Sequence, residues 1–233
     1  FFFGINLGVF QANNKTAVMY DGNVSSYGVN YFFQNQFIKQ ELDTYFKYDY
    51  RISSFADPKL MKYRPTFNIG GRAGIKLSNS VAVYADLNLV KLKVEDYFTV
   101  AIDNPNDPTL AGQSELELIP IFGEESRTNI NLGLQTNFYD EGSLKAYLNF
   151  FGNINNTKLE KNYFVINGKT YTIIHNALAN GTNNGQVNSH HSPPPGRLGF
   201  GGGAGIGAKY KFNDKFTFDI NYYTIYTRTR MND

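Results

Sequence analysis

The sequence has no cysteine, no tryptophan and only three histidines, and its net charge is +2. Without cysteine there is neither a disulfide framework nor a thiolate metal site. The net charge, with lysines and arginines scattered along the chain, is too small to argue for nucleic acid, and no nucleic-acid partner is expected. No apolar run approaches the roughly 20 residues that a membrane-spanning helix needs, so a helical membrane protein is excluded as well. A β-barrel is not, because its strands alternate each apolar residue with a polar one and look soluble on average.

Aromatic residues are abundant instead. Phenylalanine and tyrosine make up 16% of the chain. From Phe200 to Phe212 the even positions read Phe200, Gly202, Ala204, Ile206, Ala208, Tyr210 and Phe212, and the odd ones are glycine and lysine. After Asn213-Asp214-Lys215 the alternation resumes, with Phe216, Phe218, Ile220, Tyr222 and Tyr226 on one side and Thr217, Asp219, Asn221, Tyr223 and Thr227 on the other. An alternation of period two is a half-buried strand. An apolar face ending in aromatics, opposite a face of lysines and small residues, is the pattern of a transmembrane β-barrel strand.

The same pattern recurs along the chain. Phe1 to Gln11 is the first strand, Pro65 to Ser78 the second, and Val81 to about Val100 the third. Arg127 to Tyr139 is the fourth and Leu144 to Ile154 the fifth. The third strand changes phase near Leu89-Val90, which marks either a bulge or the point where the strand leaves the membrane. Short turns at Leu77-Ser80, Asp140-Ser143 and Asn213-Lys215 alternate with long loops over about 12–64, 101–125 and 156–196. Within the last loop, Asn167-Gly168 predicts a hairpin between Tyr163–Val165 and Tyr171–Ile174. About ten residues per strand, at a 3.3 Å rise and a tilt near 45°, give roughly 23 Å, close to the apolar band of such barrels. The fold expected is all-β, an antiparallel transmembrane barrel of eight strands. Seven are visible, so the natural protein is expected to continue past Asp233 with the eighth, and Phe1 to lie near a mature start.

The first long loop carries helical spacing between Tyr31 and Tyr48. Phe33, Phe37, Ile38, Leu42, Tyr45 and Phe46 lie on one stripe of a short helix and form the candidate partner interface. Such a helix either caps the barrel or lies on the membrane surface or in a groove of a partner. The interior is expected to hold Arg72, Lys76, Lys145, Lys209, Lys211, Asp86 and Asp219, a plug of paired charges.

Other chemistry is weakly supported. Asp103, Asn104, Asn106 and Asp107 offer oxygens to Ca²⁺, but Pro105 and Pro108 interrupt the spacing and favour a rigid turn. His190 and His191 are adjacent and His175 is distant, which disfavours a zinc site. Gly199 to Gly207 lacks the strand-loop-helix context of a phosphate loop. No serine, histidine and acid share an evident geometry, so no enzyme activity, cofactor or metal is expected.

With these elements in place, the chain resembles the small outer-membrane β-barrels of the OmpA, OmpX and OmpW type. The resemblance rests on the glycine-alternating strand Gly199 to Ala208, then Lys209-Tyr210-Lys211-Phe212, the Asn213-Asp214 turn and Lys215-Phe216-Thr217-Phe218. Its Asn, Lys, Tyr and Phe content resembles barrels from the Bacteroidota. The first loop is longer than in the plain OmpA-type barrel, and the given residues include no peptidoglycan-binding domain. The resemblance implies the bacterial outer membrane, with lipid and lipopolysaccharide around the wall and other outer-membrane proteins as partners of the loops. A second reading is OmpW-like transport of a small hydrophobic ligand, with Phe2, Phe10, Tyr147 and Phe151 facing inward. A soluble β-sandwich is the third.

Overall fold

The computed structural model describes residues 1–23, 28–53, 61–106, 113–173 and 196–229. One antiparallel sheet dominates. Its main strands are β1 (Phe2–Phe10), β4 (Thr66–Lys76), β5 (Val81–Asp103), β6 (Glu115–Glu141), β7 (Leu144–Ile166), β9 (Gly196–Lys211) and β10 (Thr217–Thr229), paired in that order. Three short strands extend it: β2 (Asp49–Ile52) and β3 (Lys62–Tyr63) pair with β5, and β8 (Lys169–Thr172) pairs with β7. Between β1 and β2 lie a 3-10 turn at Ala17–Tyr20 and two helices, α1 (Val29–Gln34) and α2 (Gln36–Phe46). No helix among the described residues is long and apolar enough to cross a membrane.

The sheet is not closed, since β1 and β10 are its two edges. It is nevertheless strongly curled. Asn68 of β4 donates from Nδ2 to the Tyr223 hydroxyl of β10 at 3.3 Å, and Lys209 Nζ of β9 lies 5.3 Å from the ring of Phe2 on β1. The glycine row of β9 permits part of this curl. A Cβ on Gly201 would stand 1.9 Å from the carbonyl oxygen of Tyr226 on the neighbouring strand, so only glycine lets the two backbones crowd on the concave side.

The convex face is apolar and uncovered along the turn end of every main strand. Phe3 and Ile5 on β1 are each 82% exposed, and Leu132 and Ile220 are exposed in the same way. No second layer covers this belt among the described residues. The concave face beneath it is polar and buried, with Asn68, Arg72, Asp86, Asn129, Asn131 and Asn153 all at 8% exposure or less.

Toward the loop end this polarity inverts. On β5 the outward row changes from Val83, Leu87 and Leu89 to Lys91 and Lys93, while the inward row changes from Asp86 and Asn88 to Val90, Leu92 and Val94. On β6 the outward switch lies between Ile130 and Thr128, and on β7 between Ile154 and Asn156. Leu89, Thr128 and Asn156 are register partners, so three strands switch together. No bulge causes it, because the β5–β6 pairing runs without a register shift from Val81 to Ile102. Of the two explanations for the phase change at Leu89-Val90, the bulge is therefore ruled out.

The inversion also explains why the loops are shorter than the pattern suggests. Residues 115–125 and 156–166, expected as loop, are strand continuing upward with the sense of the alternation reversed. These extensions of β5, β6 and β7 carry a water-type apolar core on their inward side. Leu92, Phe98, Ile121, Phe164 and Ile173 pack there with Leu42 and Phe46 of α2. Aromatic contacts link it, including Phe164 stacked on Tyr171 at 5.0 Å and edge-on to Phe98 at 5.5 Å. The expected hairpin is present as β7–β8, turning on Asn167 and Gly168, both with positive φ. The expected single helix is two, broken at Asn35, whose side chain accepts hydrogen bonds from the backbone N–H groups of Phe37 and Ile38 and so starts α2.

Candidate functional site

Two buried polar clusters occupy the interior, one above the other. The lower one lies within the apolar belt. Arg72 donates from Nε and Nη2 to the two carboxylate oxygens of Asp86, at 2.6 and 2.8 Å, and its guanidinium lies 4.3 Å from the ring centroid of Tyr84. Lys209 donates to Gln135 at 2.7 Å and lies 3.6 Å from Asp219, which also accepts the hydroxyl of Tyr147. Above these is an asparagine ladder across β6 and β7. Asn153 donates to Asn131 and Asn155 to Asn129, each at 2.7 Å, and Thr227 of β10 donates to Asn153 at 2.7 Å. Each amide offers both donor and acceptor, so a row of them satisfies itself without a net charge. Tyr147 and Phe151 help to fill this space, Phe151 edge-on to Tyr223 at 5.9 Å. Phe2 closes over Gly74, and Phe10 packs against the upper core.

Four of the seven expected interior charges meet here: Arg72, Asp86, Lys209 and Asp219. The other three do not. Lys76 and Lys211 stand exposed at the turn-end mouth, where the strands finish, and Lys145 pairs with Asp140 beside that mouth. Lys211 pairs with Asp214 at 2.7 Å.

The upper cluster closes the interior beneath the apolar core and was not foreseen from sequence. Glu125, fully buried in the inward row of β6, accepts the hydroxyls of Tyr20 at 2.9 Å and Tyr63 at 2.7 Å, and pairs with Arg127. Arg127 also donates to Thr16 at 3.1 Å, and the Thr16 and Tyr63 hydroxyls are 3.0 Å apart. Asn14 accepts the backbone N–H of Tyr63 at 3.0 Å, and Gln11 donates to its carbonyl at 3.2 Å. Burial, then the negative charge of Glu125, pushes both phenols well above their ordinary range. Burying a carboxylate costs several kcal/mol, which is offset only when its lone pairs are well satisfied. Here two phenols and a guanidinium satisfy them. The arrangement ties residues 11–20, Tyr63 and β6 into one cap over the polar interior. The sequence signal was an acid in an inward row between Ile121 and Asn129, but its partners lie 105 and 62 residues away.

No family model, no curated protein and no solved structure matches this chain.

The helix stripe divides between core and surface. Leu42 and Phe46 are buried, Phe33 packs edge-on to Tyr50 and Phe98, and Ile38 and Tyr45 are half-buried against the same core. The Tyr45 hydroxyl donates to Glu117 at 2.9 Å, which raises its pKa. Phe37 alone projects, at 90% exposure. In the Asp103 loop the Asp103 carboxylate is held by Ser114 and Arg51, which lower its pKa in that order, and Asn104 accepts the backbone N–H of Asn106 at 3.0 Å. Asp107, Pro108, His175, His190 and His191 lie outside the described residues.

Proposed function

We propose that this protein is an integral β-barrel of a bacterial outer membrane whose folded cap serves as an interaction subunit for another outer-membrane protein. The observation that carries the reading is the polarity inversion at Leu89–Val90 within an unbroken register. Below it the exposed side is apolar and the interior polar, as lipid on one side and a sealed interior on the other require. Above it the exposed side is charged and the interior apolar, as water requires.

Strand direction sets what closure would require. Seven antiparallel strands leave β1 and β10 running the same way. In a bilayer the open edges of β1 and β10 must be satisfied, and a strand antiparallel to both would do so as an eight-stranded barrel. Lipid and lipopolysaccharide then surround the belt. The filled polar interior favours a scaffold over a conduit, since an eight-stranded barrel is just wide enough for its own side chains.

The interaction surface lies on the outward face of the extensions. Leu116 and Leu118 of β6 are 64% and 63% exposed, Tyr97 of β5 is exposed beside them, and Phe122 stacks on Tyr163 at 5.1 Å. A charged stripe, including Lys91, Lys93, Glu124 and Glu160, separates this ribbon from the lipid belt. An apolar ribbon isolated in that way suits a protein partner rather than lipid. A photoreactive residue at Leu118 in the native membrane is expected to give one discrete adduct with a membrane protein, and one at Lys93 none. Monomer alone at both positions contradicts the interaction role.

A further inference from the structure

Resting on the membrane reading above, we infer that Lys91, Lys93, Lys158 and Lys161 form a docking site for the phosphorylated head of lipopolysaccharide, on the outer side of β5, β6 and β7 just above the apolar belt. The register sets them out as a grid. Ser126 of β6 pairs with Lys91 on one side and Lys158 on the other, and Glu124 pairs in the same way with Lys93 and Lys161. The four lysines are the corners of a patch about 10 Å across and about 7 Å high, two strand spacings by two residues, with Ser126 and Glu124 down its middle. Glu160 enters the patch as the extra residue of β7 where the β6–β7 register shifts between Glu124 and Glu125. The grid faces outward, since the residues that alternate with it, Leu92, Glu125, Leu159 and Asn162, are buried.

Within the grid the lysines stand above the acids. Lys91 and Lys93 share one carboxylate, with their Nζ atoms 3.2 and 3.9 Å from Glu124, and Lys158 lies 3.5 Å from Glu160. The side chains of these three lysines are 61%, 65% and 49% exposed, whereas those of Glu124 and Glu160 are 15% and 32% exposed. Ser126 donates to Glu160 at 2.8 Å, and that hydrogen bond, then the charges of Lys158 and Lys91, holds the Glu160 carboxyl below its ordinary range. The recessed carboxylates thus brace the ammonium groups from beneath. Each ammonium carries three donors, so the outward ones stay open to a ligand, and four cations over two anions leave the surface positive.

Height above the belt selects that ligand. Leu89, Thr128 and Asn156 form the row directly below Lys91, Ser126 and Lys158, and Leu89, Ile130 and Ile154 are exposed at the top of the belt. Acyl chains covering those residues bring the headgroup phosphates level with the grid. Lysines at a membrane surface attract anionic headgroups, and a compact array of point charges suits several phosphate oxygens at once. A free phosphate uses only the lysines, whereas lipopolysaccharide also lays acyl chains on Leu89, Ile130 and Ile154, which is why the lipid is the occupant assigned.

The test uses the folded protein in neutral detergent, titrated with diphosphorylated lipid A, dioleoyl phosphatidylcholine or inorganic phosphate and read by native mass spectrometry. Wild type is expected to retain lipid A in preference to phosphatidylcholine. The variant K91Q/K93Q/K158Q/K161Q is expected to bind it roughly tenfold more weakly or worse, as loss of the cationic array implies. A control, K76Q/K145Q/K211Q/K215Q, removes the same charge at the turn end and is expected to bind as wild type does. Equal weakening by the two variants, or by neither, overturns the site. Displacement of lipid A by an equal concentration of inorganic phosphate overturns the lipid as its occupant, and so does a discrete protein adduct from a photoreactive residue at Lys93 in the native membrane. Insertion into phosphatidylcholine vesicles is scored separately, and failure of wild type to insert overturns the membrane reading itself rather than the lysine grid alone.

Discussion

The ring of Tyr20 sits on the bare backbone of Gly123, where a Cβ would stand 2.2 Å from Tyr20 Cδ1 and 2.4 Å from its Cγ. These atoms are at the root of the ring, so relief cannot come from rotating a distant tip. The Tyr20 hydroxyl is meanwhile fixed on Glu125. Glycine at position 123 is therefore what allows the segment after β1 to fold inward over the interior.

Gly123→Ala is expected to push Tyr20 off its seat and destabilise the cap by about 1–3 kcal/mol, the usual cost of overpacking. Limited proteolysis of the folded protein should cut near residues 12–23 faster than in wild type, with the belt strands still protected. Unchanged cleavage would show that the contact is not limiting.

In the lower cluster, Asp86→Ala leaves the Arg72 guanidinium buried without its bidentate partner. The expected loss is about 3–5 kcal/mol. Replacing both, Arg72→Met with Asp86→Leu, should recover most of it, because two apolar residues strand no charge. Denaturant unfolding in vesicles measures both. A double variant as unstable as Asp86→Ala would indicate that the pair does more than satisfy itself.

Alkaline pH should open the cap. The Tyr20 and Tyr63 phenols are held above the ordinary value of 10.0 by burial and then by Glu125, and Tyr171 is pushed to about 12 by burial and then by Glu41. The folded cap binds neutral phenols, while the unfolded chain releases their protons first. Cap stability is thus complete below pH 10 and falls as pH rises beyond it, for Tyr171 across the interval from 10 to about 12. Tyrosinate absorbance from these residues should rise only together with proteolytic opening of residues 12–23. Free titration at 10 in an intact cap would contradict the burial argument.

The belt strands were legible because alternation of period two survives wherever one side is polar and the other apolar. Inward asparagines such as Asn129, Asn131 and Asn153 were readable for the same reason. The extensions were not, since Lys91, Lys93 and Lys158 exchange faces with the apolar residues and make a continuing strand look like a change of element. Leu42 and Phe46 were found as a helical stripe, but a stripe does not say whether it faces the chain's own core or a partner. Glu125 was missed because a buried acid announces itself only through partners, and Tyr20 and Tyr63 reach it from distant parts of the chain.

The most direct test of the account follows the outward row of β5. The chain has no cysteine, so single cysteines at Val83, Leu87, Leu89, Lys91 and Lys93 can each carry a spin label without background. After reconstitution into bilayers, collision rates with oxygen and with a water-soluble nickel chelate report lipid or water at each position. The account predicts that the first three are lipid-exposed and the last two water-exposed, with the step between Leu89 and Lys91. Water exposure at all five positions, or lipid exposure continuing through Lys93, would contradict it.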